Sequence, residues 1–213
     1  MLLKYDFLFI KSEFPFHNCK GDVGFLIDGS SSIVDRNLGG QHYNWNIIKD
    51  FILVLGHGLN ISEDESHLAV VVFSLYAKLE IKFSDATNYE DFEKLVTKLP
   101  HPQEATYPLR GFDTALNQMF DVSNGMRLNV RQTLIYITDG DCDSGGCAGK
   151  MVSWGERFDD RGIKRIGIGI GSEISKQEIV DFVGLENYVH KLRFNQLLTK
   201  DFRRNLSLCE AGE

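Results

Sequence analysis

The stretch Val23-Gly-Phe-Leu-Ile27-Asp28-Gly-Ser30-Ser-Ser32 decides how this chain folds. Its first five residues form a short apolar run without the polar alternation of a half-exposed strand. Such a run suits a strand buried on both faces at the centre of a parallel sheet. It ends on a carboxylate, and a glycine and three serines follow. Doubly wound α/β folds bind ligands at such a place, outside the carboxyl ends of the strands where strand order reverses.

The rest of the chain alternates strand-like and helix-like segments. From Tyr43 to Leu59, Trp45, Ile48, Ile52 and Leu55 recur at helical spacing. His67 to Ser74 reads as a strand, and Ala77 to Phe83 as its hairpin partner. Asn88 to Leu99 is an amphipathic helix closed by Pro100, and Leu109 to Val122 is another helix. Gln132 to Thr138 is a second central strand, and it too runs into an aspartate, Asp139. Then come a helix from Lys150 to Asp160, a strand from Ile163 to Ile170 and a short helix from Gln177 to Val183. An edge strand from Tyr188 to Leu192 and a closing helix from Gln196 to Leu206 complete the order. This order predicts an α/β, doubly wound fold. Its central sheet is mostly parallel, with one short antiparallel edge strand and helices on both faces.

At 213 residues the chain suits one domain with a full core. That domain is expected over residues 19–209, with an extension over 1–18 and a tail over 210–213. Net charge is -7, which argues against a nucleic-acid binder. No apolar run approaches the ~20 residues that span a bilayer. The apolar start, Met1 to Ile10, is broken by Lys4 and Asp6 and has no small-residue cleavage site, so it is a poor signal peptide. An artificial start, or an internal piece of a larger, multidomain protein, explains it better.

Four cysteines form one flanking pair, Cys19 and Cys209, and one intra-loop pair, Cys142 and Cys147. They read as two disulfides in an oxidising compartment, with four free thiols or a zinc site as the alternatives. Two glycosylation sequons, at Asn60 and Asn205, lean the same way.

Asp28, Ser30 and Ser32 offer one carboxylate and two hydroxyls at alternate positions of a tight turn. All are hard oxygen donors, and they suit a small cation that keeps some of its water. Asp139 and Thr106, in the loop before the helix at Leu109, are the candidates for the remaining donors.

These residues resemble the von Willebrand factor A family and its integrin I-domain relatives. The family's motif is Asp-x-Ser-x-Ser, a Thr in a loop before a helix, and an Asp in a Thr-Asp-Gly turn. Here it falls on Asp28, Ser30, Ser32, Thr106 and Asp139. The resemblance runs from about Cys19 to Cys209. It implies a metal-ion-dependent adhesion site (MIDAS) binding Mg²⁺, with Mn²⁺ or Ca²⁺ as substitutes. Ser30, Ser32 and Thr106 would contact the ion directly, and Asp28 and Asp139 often through water. One coordination position would accept an Asp or Glu of a protein ligand, such as a matrix protein or a cell-surface receptor. The chain departs from many relatives in its two prolines, Pro100 and Pro102, where a Gly-rich approach to the Thr is usual. They should stiffen the loop.

Other signals fail on a central residue. Asp139-Gly-Asp141-Cys-Asp143 starts like a calcium loop, but Ser144 replaces the required glycine and Lys150 the bidentate Glu. Asp141 and Asp143 then form an acidic rim or a solvated turn. Gly167-Ile-Gly169-Ile-Gly171 alternates within a strand, which suits close packing against a helix better than a dinucleotide fingerprint. No G-x-S-x-G elbow activates a serine, and Ser30 stands where a haloacid-dehalogenase-type phosphatase needs its second Asp. The expectation is therefore an extracellular adhesion or matrix-assembly module and not an enzyme. An intracellular scaffold of the same fold, a metal-dependent hydrolase and a structural domain with an idle site are the alternatives.

Overall fold

Six strands build one twisted sheet in the order β3-β2-β1-β4-β5-β6. In this computed structural model the described residues are 20–34, 43–140, 142, 147, 149–171, 174–191, 193–200 and 206. Cys19, Cys209, Asn205, Asp141 and Asp143 lie outside them, as does most of the segment after Thr199.

Strand β1 (Gly21–Asp28) pairs in parallel with both β2 (Ser66–Phe73) and β4 (Arg131–Thr138). The sheet extends through β5 (Ile163–Ile170) to β6 (Tyr188–Lys191), again in parallel. Only β3 (Ala77–Ile81) runs antiparallel, as the hairpin partner of β2 at one edge. This is the expected doubly wound architecture. Strand order reverses between β1 and β4, so the residues that follow Ile27 and Thr138 share one crevice.

The alternation of strand side chains builds two cores. Phe25, Ile27, Val70, Val72, Ile135 and Ile168 face helices α1 (Tyr43–Gly58) and α2 (Tyr89–Thr97). Leu26, Val71, Phe73, Leu134 and Tyr136 face the other layer. That layer holds α3 (Pro108–Thr114), α4 (Lys150–Asp159) and α5 (Lys176–Val183). Phe112 and Phe182 stack there with ring centroids 3.9 Å apart.

The glycines of β5 have a packing reason. A Cβ on Gly167 would stand 2.5 Å from Ile179 Cγ2, and one on Gly169 would stand 2.3 Å from Ile174 Cδ1. Both bare positions let α5 lie directly on the strand. The close-packing reading therefore holds for Gly167 and Gly169 but not for Gly171, where a Cβ would meet nothing within 4 Å and the backbone has a positive φ of 103°.

Two elements differ from expectation. The helix expected over Leu109 to Val122 begins at Pro108 and widens into a π turn over Ala115–Met119, where the Phe120 N–H donates to Ala115 O at 3.0 Å. Arg161 donates to the carbonyls of Leu116 and Phe120 and satisfies groups that the wider turn frees. In place of the start of the closing helix stands a 3₁₀ turn, Phe194–Leu198, anchored by the fully buried Leu197. No helix among the described residues is long and apolar enough to cross a membrane.

Candidate metal centre

Buried Asp28 ends β1. Its Oδ1 accepts the Ser30 N–H at 2.9 Å, which curls the chain into a tight turn. Its Oδ2 accepts the Thr138 hydroxyl from the end of β4 at 2.6 Å. The two strand ends are thus tied together across the crevice.

A second tie is longer. Ser32 Oγ donates to Asp139 Oδ1 at 2.6 Å, and Ser30 Oγ lies 2.9 Å from Ser32 Oγ. Because Ser32 gives its proton to the carboxylate, the Ser30 hydroxyl is the donor within the serine pair. Thr106 joins from the third stretch. A Cβ on Gly140 would stand 3.6 Å from Ser32 Oγ and 3.7 Å from Thr106 Oγ1, so both hydroxyls flank that glycine. All five residues singled out in the sequence meet at one end of the sheet.

The loop that carries Thr106 is fastened to the serine turn by its backbone. Gln103 N–H donates to Gly29 O at 2.8 Å, and Ser31 N–H donates to Glu104 O at 3.0 Å. Gln103 adopts the left-handed region (φ 60°) to make this approach. Pro102 closes it: a Cβ on Gly29 would stand 2.9 Å from Pro102 Cδ and 2.9 Å from Val72 Cγ1. Gly29 is therefore required by contact, and of the two departing prolines Pro102 is part of the clasp.

Three residues of the site escaped the sequence reading. Buried Ser74 donates its hydroxyl to Ala105 O at 3.1 Å and accepts the Glu104 N–H at 3.0 Å, while its carbonyl accepts the Tyr107 N–H at 3.1 Å. It thereby brackets Thr106 on both sides. His101 stacks on Trp45 with centroids 4.7 Å apart and places Nε2 3.2 Å from Ser30 O. Thr138 holds Asp28. Of these only Thr138 carried a local signal, since it sits in the Thr-Asp-Gly turn; the others act across space.

The electrostatics favour a cation. Burial, reinforced by the neighbouring Asp28 charge, pushes the Asp139 carboxyl up to about 7 despite the hydrogen bond from Ser32. Two carboxylates sharing a poorly hydrated crevice resist carrying both charges. A divalent ion removes that conflict, and the hydroxyls add neutral hard donors. The donor set thus fits a small, hard cation that keeps some water. Among the described residues no group of three or more His, Cys, Asp or Glu gathers to hold a metal ion, so the two carboxylates here would depend on the hydroxyls beside them.

Cys142 and Cys147 are joined in a disulfide just beyond Asp139. The Cys142 N–H reaches Glu178 Oε2 at the start of α5 at 3.4 Å, and Cys147 is buried against the same layer.

The sheet order and the cluster at its switch point place the chain among the doubly wound α/β domains. The profile of the von Willebrand factor type A domain matches residues 22–200, and the chain belongs to that family. It is 22% identical to chicken matrilin-1 over 190 residues, 88% of this chain and 36% of matrilin-1. It is 31% identical to the mouse collagen alpha-5(VI) chain over 131 residues, 62% of this chain and 5% of that one. The chain thus spans about a third or less of the curated relatives it matches. A solved structure of proximal thread matrix protein 1 from the mussel byssus, with a zinc-occupied MIDAS motif, superposes with a TM-score of 0.75 at 21% identity. That match covers 88% of this chain and 46% of the mussel chain. At such identity the likeness shows the fold.

Proposed function

We propose that this domain is an extracellular adhesion or matrix-assembly module that grips a protein ligand through a divalent cation. Asp28, Ser30, Ser32, Thr106 and Asp139 would hold the ion. The single observation that carries this reading is the run of hydroxyls from Ser30 through Ser32 to Asp139 Oδ1. It joins the turn after β1 to the end of β4 with donors of one chemical kind.

When bound, the ion supplies a positive point that a partner's Asp or Glu carboxylate can join. The protein's share is to hold its own donors in place, and to hold few enough charges that the ion still attracts another anion. Mg²⁺ suits a site of two carboxylates and three hydroxyls best, with Mn²⁺ or Ca²⁺ as substitutes. The zinc-occupied MIDAS motif of the mussel protein supports a divalent ion without deciding which.

Relatives named as a collagen chain and a thread matrix protein support the matrix setting. The Cys142–Cys147 disulfide supports an oxidising compartment over a cytosolic scaffold. Asn60 is exposed and open to glycosylation; Asn205 is a further sequon, and Cys19–Cys209 is the second bridge we propose. The reading is of a binding module: relatives named as matrix proteins support it, and the site serines are engaged with each other and with Asp139.

Calorimetric titration with MgCl₂ tests the site. The wild-type chain should bind Mg²⁺, and Asp28→Asn, which keeps the carboxylate's shape, should weaken that binding by roughly a hundredfold. Capture of ligand from a matrix extract should disappear in EDTA. Capture undiminished by chelator would reject the mechanism.

A further inference from the structure

Beside Thr106 stands a cation with aromatic walls. The Arg110 guanidinium carbon lies 5.2 Å from the ring centroid of Tyr76 and 5.2 Å from that of Tyr107. Its Nη1 donates to Leu75 O, which holds the group in place between the rings. Both rings belong to the frame of the site. Tyr107 follows Thr106 directly, and its N–H donates to Ser74 O, while the Ser74 N–H donates to Tyr76 O at 2.8 Å.

The group is also open to a partner. Arg110 is exposed, and Tyr76 is 68% exposed. Among the described residues no Asp or Glu pairs with Arg110, whereas Arg127 and Arg165 each sit on a carboxylate. A guanidinium held in this way, with no carboxylate partner among the described residues, offers an anion a fixed point of contact on a chain of net charge -7. Because its rotamers are already restricted, it loses little freedom on capturing a carboxylate.

We propose that Arg110, shelved between Tyr76 and Tyr107, is a second anchor for the same ligand. The ligand is therefore an acidic segment with two carboxylate side chains, one for the metal centre and one for the guanidinium. This rests on the metal-centre reading above. The two contacts act through one linked partner, so the second raises affinity without a new binding event.

Synthetic peptides test it: one glutamate in a Gly-Ser sequence, against two glutamates separated by Gly-Ser spacers of increasing length. Each is titrated into the full chain in Mg²⁺ and in EDTA. At one spacing the two-glutamate peptide should bind about three- to fivefold tighter, the size expected of an exposed pair. Arg110→Gln should bring it down to the one-glutamate level, leaving one-glutamate and Mg²⁺ affinities unchanged. Tyr76→Phe, which keeps the ring, should keep the gain. The proposal is overturned if no spacing gives a gain, or if the gain survives Arg110→Gln. One-glutamate binding that persists in EDTA would count against the metal centre instead. The dependence of the gain on Arg110 would still decide the anchor in the same titrations.

Discussion

Asp139 is pulled two ways: burial and Asp28 favour its proton, and Ser32 favours its charge. With a carboxyl at about 7 in the fold against an ordinary 3.8, the folded protein alone keeps a proton that the unfolded chain has released between those values. Its stability therefore falls as pH rises through that window. A cation must displace the proton below neutrality. Mg²⁺ affinity should climb with pH up to about 7 and level off above it, with proton release seen by calorimetry in buffers of different ionisation enthalpy. A flat profile across neutral pH would show that Asp139 is not engaged. At this scale the meeting of Asp28, Ser30, Ser32 and Asp139 was legible because each stands in a short motif at a strand end, and that of Thr106 because its loop leads into a helix. Ser74 and His101 were not. Their importance lies in hydrogen bonds to residues about thirty and seventy positions away, which no local pattern records.

At the scale of elements, the strands were legible because central strands must be apolar on both faces, and their lengths were right to within a few residues. The start of β1 was missed by two. Gly21 and Asp22 look like turn residues, but Arg127 donates to Asp22 through Nε at 2.9 Å and Nη2 at 2.7 Å and so permits a buried charge within the strand. The π turn was illegible for another reason: Phe112, Leu116, Met119 and Phe120 fit an apolar face whether or not one turn is widened. The contact between β5 and α5 follows from glycine alone. Gly167→Ala would drive its methyl into Ile179 and Val183, whose branched stubs cannot swing aside. It should cost about 1–3 kcal/mol in denaturant melts. An unchanged midpoint would mean that α5 is free to retreat.

Across the whole molecule, the sheet has two poles with separate tasks. Asp28 and Thr138 end their strands at the pole of the proposed metal centre. Gly21, Ser66 and Arg131 begin theirs at the opposite one. There Arg127 also donates to Glu65 O at 2.8 Å and Gly21 O at 3.2 Å, binding the starts of β1 and β2 together. Arg127→Leu should cost about 3–5 kcal/mol, because it strands the fully buried Asp22. Mg²⁺ affinity of the folded protein should not change. Loss of both together would deny the division between the poles.

The borders of the sheet bear on life at high density. One border is β3, five residues long, carrying the Lys78–Glu80 ion pair and facing β2 across a register shift. The other is β6, only four residues long. Short, charged or kinked borders make poor templates for a neighbouring chain. Copies of this domain packed side by side in a dense fabric would resist zipping into continuous cross-β ribbons, and their cohesion would be left to the proposed ion-binding end of the molecule.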